Sequence, residues 1–203
     1  MKKYILALIF VLANALLLTA QVTVKPGGGF HYLDYSHSTN NWDRYGGIGY
    51  QLGSTATIGR QFYGEAGVFW MSNTSEYSQI EGDDGNGPIR LNHQLNIIRV
   101  PLLAGYSLWD SQGTSVDFNV VLGPVLNFVA SVNNSIPNTS APTKADYNTV
   151  FWGGNLGLNI AYWWLFSDIG YELGFSKVYK DTNKFGSAKA NTFYVNFGVR
   201  IRL

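Results

Sequence analysis

Cysteine is absent from the 203 residues, so no disulfide and no thiolate metal centre can hold the fold, and backbone pairing and packing must do so. Charge is nearly as scarce. Asp, Glu, Lys and Arg make up 13% of the chain, against ~25% in an ordinary soluble domain, too few to carpet a soluble exterior. There is no basic surplus either: the formal net charge is +1, and it becomes −1 (12 basic against 13 acidic residues) once Lys2 and Lys3 are set aside with the N-terminal segment. That balance excludes the basic face nucleic acid requires, and no nucleic-acid-reading motif is present. Long apolar runs are missing after residue 20, which excludes a helical span there and leaves strands as the way across a bilayer.

The opening "MKKYILALIFVLANALLLTAQ" has two lysines, an apolar run from Tyr4 to Leu18 and a small residue, Ala20, before Gln21. This is the pattern of a secretory signal peptide, and the run is short for a spanning helix, which needs ~20 apolar residues. The expected organisation is a signal peptide over 1–20 and a single barrel domain over 21–203.

What the chain does have is aromatics, at 15%, 23 glycines, and side chains that alternate. In the closing "NTFYVNFGVRIRL", Phe193, Val195, Phe197, Val199, Ile201 and Leu203 share one face, opposite Thr192, Tyr194, Asn196, Gly198, Arg200 and Arg202. A period of two marks a strand. Eight such segments are read as strands near 22–35, 44–58, 62–74, 94–108, 115–131, 149–164, 167–179 and 190–203. Their connections alternate. "GRQ" at 59–61, "WDSQGT" at 109–114 and "LFS" at 165–167 are tight, whereas polar Gly- and Asn-rich loops centre near 84, 140 and 185. An even strand number with short turns at one end and long loops at the other predicts an all-β, eight-stranded antiparallel up-and-down transmembrane β-barrel.

The faces decide what meets lipid. Val150, Trp152, Leu156, Leu158, Ile160, Tyr162 and Trp164 lie opposite Thr149, Gly153, Asn155, Gly157 and Asn159; the strand before repeats the split. The polar face is built of Gly, Asn, Thr and Ser, which suit an eight-stranded interior only just wide enough for side chains. The apolar face therefore points outward, with Trp70, Trp152 and Tyr179 expected in a girdle at the long-loop end and Phe62, Tyr162 and Trp164 in one at the short-turn end. Tyr63, Phe69, Phe151, Trp163 and Tyr194 are expected to fill the lumen. Alternation also places Glu65, Arg99, Asp117, Asp168, Glu172, Arg200 and Arg202 inside, and loop symmetry predicts the pairs Glu65–Arg99, Glu172–Arg200 and Asp168–Arg202. Pro101 and Pro124, inside strands, are read as bulge sites.

Several stretches together resemble the PorT-like outer-membrane β-barrel family of Bacteroidetes: "QFYGEAGVFWMS" with Glu65, "LNIIRVPLLAGYSL" with Pro101, "VVLGPVLNF" with Gly123 and Pro124, "IGYELGFSKVY", and the closing strand. The likeness covers nearly all of the chain after residue 20. It implies an eight-stranded outer-membrane barrel, some relatives of which serve secretion and gliding machinery, and it carries over no catalytic residue. Where family members often place a carboxylate before the fourth-strand proline, this chain has Arg99 and Val100.

No catalytic constellation emerges. Ser36 and Ser38 flank His37, but adjacent residues of an extended strand point to opposite faces, so neither is placed to pass its proton to that imidazole. Glu76, Glu81, Asp83 and Asp84 are hard oxygen ligands without the spacing of a calcium loop, and read as a solvated connection. No metal and no cofactor is expected. The functional expectation is a non-enzymatic barrel of the cell outer membrane with a structural or partner-binding role through its long loops and a lumen plugged by side chains, accessory to secretion or envelope assembly. Its partners would be outer-membrane lipid, the barrel-assembly machinery that reads such a C-terminal strand, and a protein at the loops; nucleic acid is not among them. A membrane-embedded lipid-modifying enzyme and a soluble lipocalin-like carrier are the alternatives. The first needs a nucleophile and base within reach; the second needs a charged exterior.

Overall fold

The computed structural model describes residues 21–36, 42–44, 46–79, 90–110, 116–134, 142–180 and 187–203, and in it the alternating segments are strands. They are β1 (Val22–Tyr35), β2 (Trp42–Arg44), β3 (Gly47–Gly59), β4 (Phe62–Gln79), β5 (Arg90–Asp110), β6 (Val116–Asn134), β7 (Val150–Tyr162), β8 (Leu165–Gly174), β9 (Ala190–Val199) and β10 (Ile201–Arg202). From β3 to β9 each pairs antiparallel with the next, β3 pairs back to β1, and β1 closes the ring on β9 and β10. As β9 and β10 are two halves of one stave, the result is a closed eight-stranded barrel. The short β2 lies off the ring, paired to the upper end of β4. The wall is uneven: β4, β5 and β6 run for 18, 21 and 19 residues, whereas β8 and β9 have 10 each, so one side stands taller at the long-loop end.

Closure satisfies the backbone, and the pleat then sorts the side chains. Phe193, Phe197, Ile201 and Leu203 point out, as do Leu156, Leu158 and Tyr162, and the outer surface carries side chains as exposed as Ile48 at 73% and Leu52 at 67%. A continuous apolar exterior of this kind suits hydrocarbon, not water. Trp70 and Trp152 are exposed towards the long-loop end, and Phe62, Tyr162 and Trp164 at the other.

Four expectations about the wall need correction. The β7–β8 turn falls at Trp163 and Trp164, not at 165–167. Trp163 adopts a positive φ of 56°, which turns its ring out of the barrel, 66% exposed, so it does not fill the lumen. Tyr179 is not a girdle residue. β8 ends at Gly174, the following segment leaves the wall and folds over the mouth, and Tyr179 is fully buried there.

The prolines, finally, are not bulge sites. The bulges lie between Asn96 and Ile97 and between Ser107 and Trp109. At Pro101 the β4–β5 ladder skips from Ala66↔Leu102 to Phe69↔Arg99, and at Pro124 the β5–β6 ladder skips from Pro101↔Val125 to Ala104↔Leu122, both without change of register. A missing N–H removes bonds on one side only, while Pro124 keeps its place opposite Gly154 on the other. Pro26 sits at a third gap, on the β1 side of the break between β9 and β10.

The closing seam is tight enough to test. A Cβ on Gly29 would sit 1.9 Å from the Val195 carbonyl oxygen across the β1–β9 ladder, whereas one on Gly64 meets nothing within 4 Å. Gly29→Ala should therefore destabilise the barrel by ~1–3 kcal/mol through forced backbone shifts, and Gly64→Ala by no more than ~0.5 kcal/mol. Urea unfolding in detergent measures both, and equal effects would contradict the seam geometry.

Candidate functional site

Inward side chains divide the lumen into three levels. At the long-loop end the wall is apolar, with Leu33, Met71, Leu95, Ile97, Val129 and Phe151 in one buried cluster. Segments flanking the long loops fill it. Tyr147 and Tyr179 form a bridge, tied by backbone bonds from Asn148 to Val178 (2.8 Å) and from Val178 to Ala188 (2.9 Å). Their rings reach the barrel's own polar groups: the Tyr147 hydroxyl lies 2.6 Å from His93 Nε2 and 3.2 Å from the Tyr179 hydroxyl. His93 Nδ1 lies 2.6 Å from Asn134 Oδ1. An amide oxygen only accepts, so Nδ1 carries the proton and a neutral ring accepts from Tyr147 through Nε2.

The middle level is ionic. Arg99, from β5, is 1% exposed; its Nε donates to Glu172 Oε2 of β8 at 3.0 Å, and a terminal nitrogen donates to Asn155 Oδ1 of β7 at 3.3 Å. Asn127 of β6 donates to the other Glu172 oxygen at 2.5 Å. From β9, Tyr194 donates to Asn155 Oδ1 at 3.0 Å and lays its ring 4.5 Å from the Arg99 guanidinium carbon. Five staves thus meet on one ion pair. Below it Lys25 Nζ lies 2.9 Å from Glu65 and 3.8 Å from Asp168, and Asn159 donates to Asp168.

The third level is the short-turn mouth. There Asp117 accepts from Arg200 and, at 2.6 Å, from Arg202, while Arg200 Nε donates to the Trp163 carbonyl at 2.5 Å. The seven residues singled out by alternation therefore lie on the inward row, with Arg202 half exposed at the rim.

The partners differ from those expected. Glu65 stands opposite Leu103, not Arg99, and Glu172 opposite Thr192, short of Arg200. Glu65 pairs with Lys25, Arg99 with Glu172, and Asp117, not Glu172 or Asp168, holds the two closing arginines. The physical reason is the narrow lumen. Long side chains reach across it to staves that are not neighbours in the sheet, and a loop-symmetry argument sees only neighbours. Lys25 was missed although it falls on the same face as Thr23; the Pro26-Gly27-Gly28-Gly29 run that follows hides the period.

Some expectations fall where the structure is silent. The signal segment 1–20, Glu81, Asp83, Asp84, His37, Ser38 and the loop centres near 84, 140 and 185 lie outside the described residues, as does the side chain of Glu76. Tyr63, Phe69, Phe151 and Tyr194 are inward, the last three buried.

No protein-family model and no curated protein sequence matches the chain. Among solved structures, the outer membrane protein OprG from Pseudomonas aeruginosa superposes with a TM-score of 0.58 at 11% identity, over 90% of this chain and 96% of that one. Neisserial surface protein A, NspA, gives 0.48 at 13% identity, over 91% and 99%. Ail, the attachment invasion locus protein of Yersinia pestis, gives 0.42 at 11%, over 90% and 99%. The likeness to OprG establishes a shared fold, that of an outer-membrane β-barrel.

A buried ion pair has a measurable signature. Removing one partner strands the other at a cost of ~3–5 kcal/mol, whereas removing both costs much less. Arg99→Met and Glu172→Gln should each lower unfolding stability in detergent by that order, and the double variant by less than their sum. Additive, harmless single changes would mean that water already solvates both groups.

Proposed function

We propose that this protein is an outer-membrane barrel whose role is structural or partner-binding, with long loops outside the cell, short turns in the periplasm and a lumen closed by its own side chains. The observation that carries the reading is the Arg99–Glu172 pair spanning the middle of the lumen, both side chains buried at 1% and 3%. A conducting channel needs a continuous wet path, and here a hydrogen-bonded layer from five staves stands across it beneath an apolar cap. The apolar exterior supports the location and weighs against a soluble carrier, which would hold its apolar surface inside. His93, the buried imidazole at the mouth, is engaged by Asn134 and Tyr147, which supports a structural role for it over that of a catalytic base.

The finer assignment follows the sequence resemblance. We place the chain with the PorT-like barrels, as an accessory of secretion or envelope assembly that meets a protein partner through its loops and the barrel-assembly machinery through its closing strand.

Three measurements on the native protein test this. It should fractionate with outer membrane and migrate faster on gels before boiling than after, because a closed barrel offers no edge at which to unravel; identical migration would count against a membrane barrel. Protease added to intact cells should cut, where it cuts, near 84, 140 or 185, and cleavage at the short turns alone would invert the topology. In planar bilayers the wild-type protein should show at most small, irregular conductance, and the Arg99→Ala, Glu172→Ala double variant a larger one. Large stable channels in the wild type would overturn the closed lumen.

A further inference from the structure

The short-turn mouth contains a polar pocket, part of it open to solvent, that the closed-lumen reading leaves without a task. Its charge is lopsided. Three guanidinium groups line it, Arg60, Arg200 and Arg202, with one carboxylate, Asp117. Asp117 is shared between Arg200 and Arg202, and one negative charge cannot neutralise both. Arg60, on the β3–β4 turn, is exposed and forms no ion pair among the described residues.

Lys25 lines the pocket too, but it stands between two carboxylates behind the lining, Glu65 and Asp168, so the inner end carries the opposite imbalance. A negative ion drawn to the mouth thus meets surplus positive charge at the rim and surplus negative charge behind it, which confines it to the vestibule. Thr23, Thr57, Ser107 and Asn119 line the same space and supply hydroxyl and amide donors between the guanidinium forks. Such forks match the geometry of an oxyanion with several oxygens.

We propose that the short-turn mouth is a binding site for a small phosphate-type oxyanion. Arg60 and the half-exposed Arg202 grip the ligand. Arg200 is held between the Trp163 carbonyl and Asp117 and sets the depth at which the anion rests. Asp117 is the resident counter-ion, and an incoming anion competes with it for Arg202.

This competition makes the test directional. Inorganic phosphate is titrated by calorimetry into the protein purified in detergent, with chloride at matched ionic strength as control and heat-modifiable migration as the check of folding. Saturable binding is expected with phosphate and not with chloride. Arg60→Met, on an exposed turn where folding is not at stake, should weaken binding about tenfold, the worth of one charge-assisted hydrogen bond, and Arg60→Lys should retain most of it. Asp117→Asn should strengthen binding, since the competing carboxylate is gone. If Asp117→Asn does not fold, the contrast between Arg60→Met and Arg60→Lys decides. An equal response to chloride, an unchanged Arg60→Met, or weaker binding by a folded Asp117→Asn would each overturn the site. None of these readouts depends on cellular location or on conductance.

Discussion

Closure of the backbone hydrogen-bond ladder between β1 and the β9–β10 stave is the constraint from which the rest follows. A sheet with an apolar outer face cannot end in an edge inside hydrocarbon, because each unpaired N–H or C=O there costs several kcal/mol, on the order of a desolvated amide. Eight staves close the ring with little chain, and an eight-stranded ring leaves an interior about as wide as its own side chains. Contacts across the lumen are the consequence. The glycines on the seam belong to the same logic, since Gly29 brings β1 so close to β9 that a Cβ would overlap the Val195 carbonyl.

Pro26, Pro101 and Pro124, the prolines within the ring strands, show how far that ladder can be interrupted. Each coincides with a gap on one flank while the opposite flank pairs through it: Pro26 with Ser54, Pro101 with Val125, Pro124 with Gly154. Register survives because a missing donor deletes a bond without adding a residue, whereas the true bulges do shift the count.

Inside the ring, chemistry is graded along the axis. The long-loop end is apolar and roofed by Tyr147 and Tyr179, the centre is ionic, and the short-turn end is polar and open to solvent. Burial explains the pairing in the centre, where an ion without a partner is prohibitively costly, so Arg99 is met by Glu172, Asn155 and the Tyr194 ring. At the mouth water relaxes that demand, and the guanidinium groups of Arg60 and Arg202 need no full set of counter-charges.

Alternation alone determined the strands, the apolar exterior and the inward row that carries Glu65, Arg99, Asp117, Asp168, Glu172, Arg200 and Arg202, because a pleated strand turns every second side chain to the same face whatever surrounds it. Even Lys25 obeys that rule and was hidden only by the Pro and Gly that follow it. Partner choice was decided elsewhere. Glu65 meets Lys25 two staves away and Arg99 meets Glu172 across the lumen, distances set by ring size and stagger, which no single strand encodes. The same holds for Tyr179, whose segment continues the alternation yet leaves the wall because β8 stops at Gly174. It holds for Trp163 as well, whose two-residue turn depends on where β7 and β8 pair. Local chemistry says which way a side chain points, and only the closed ring says what it then finds.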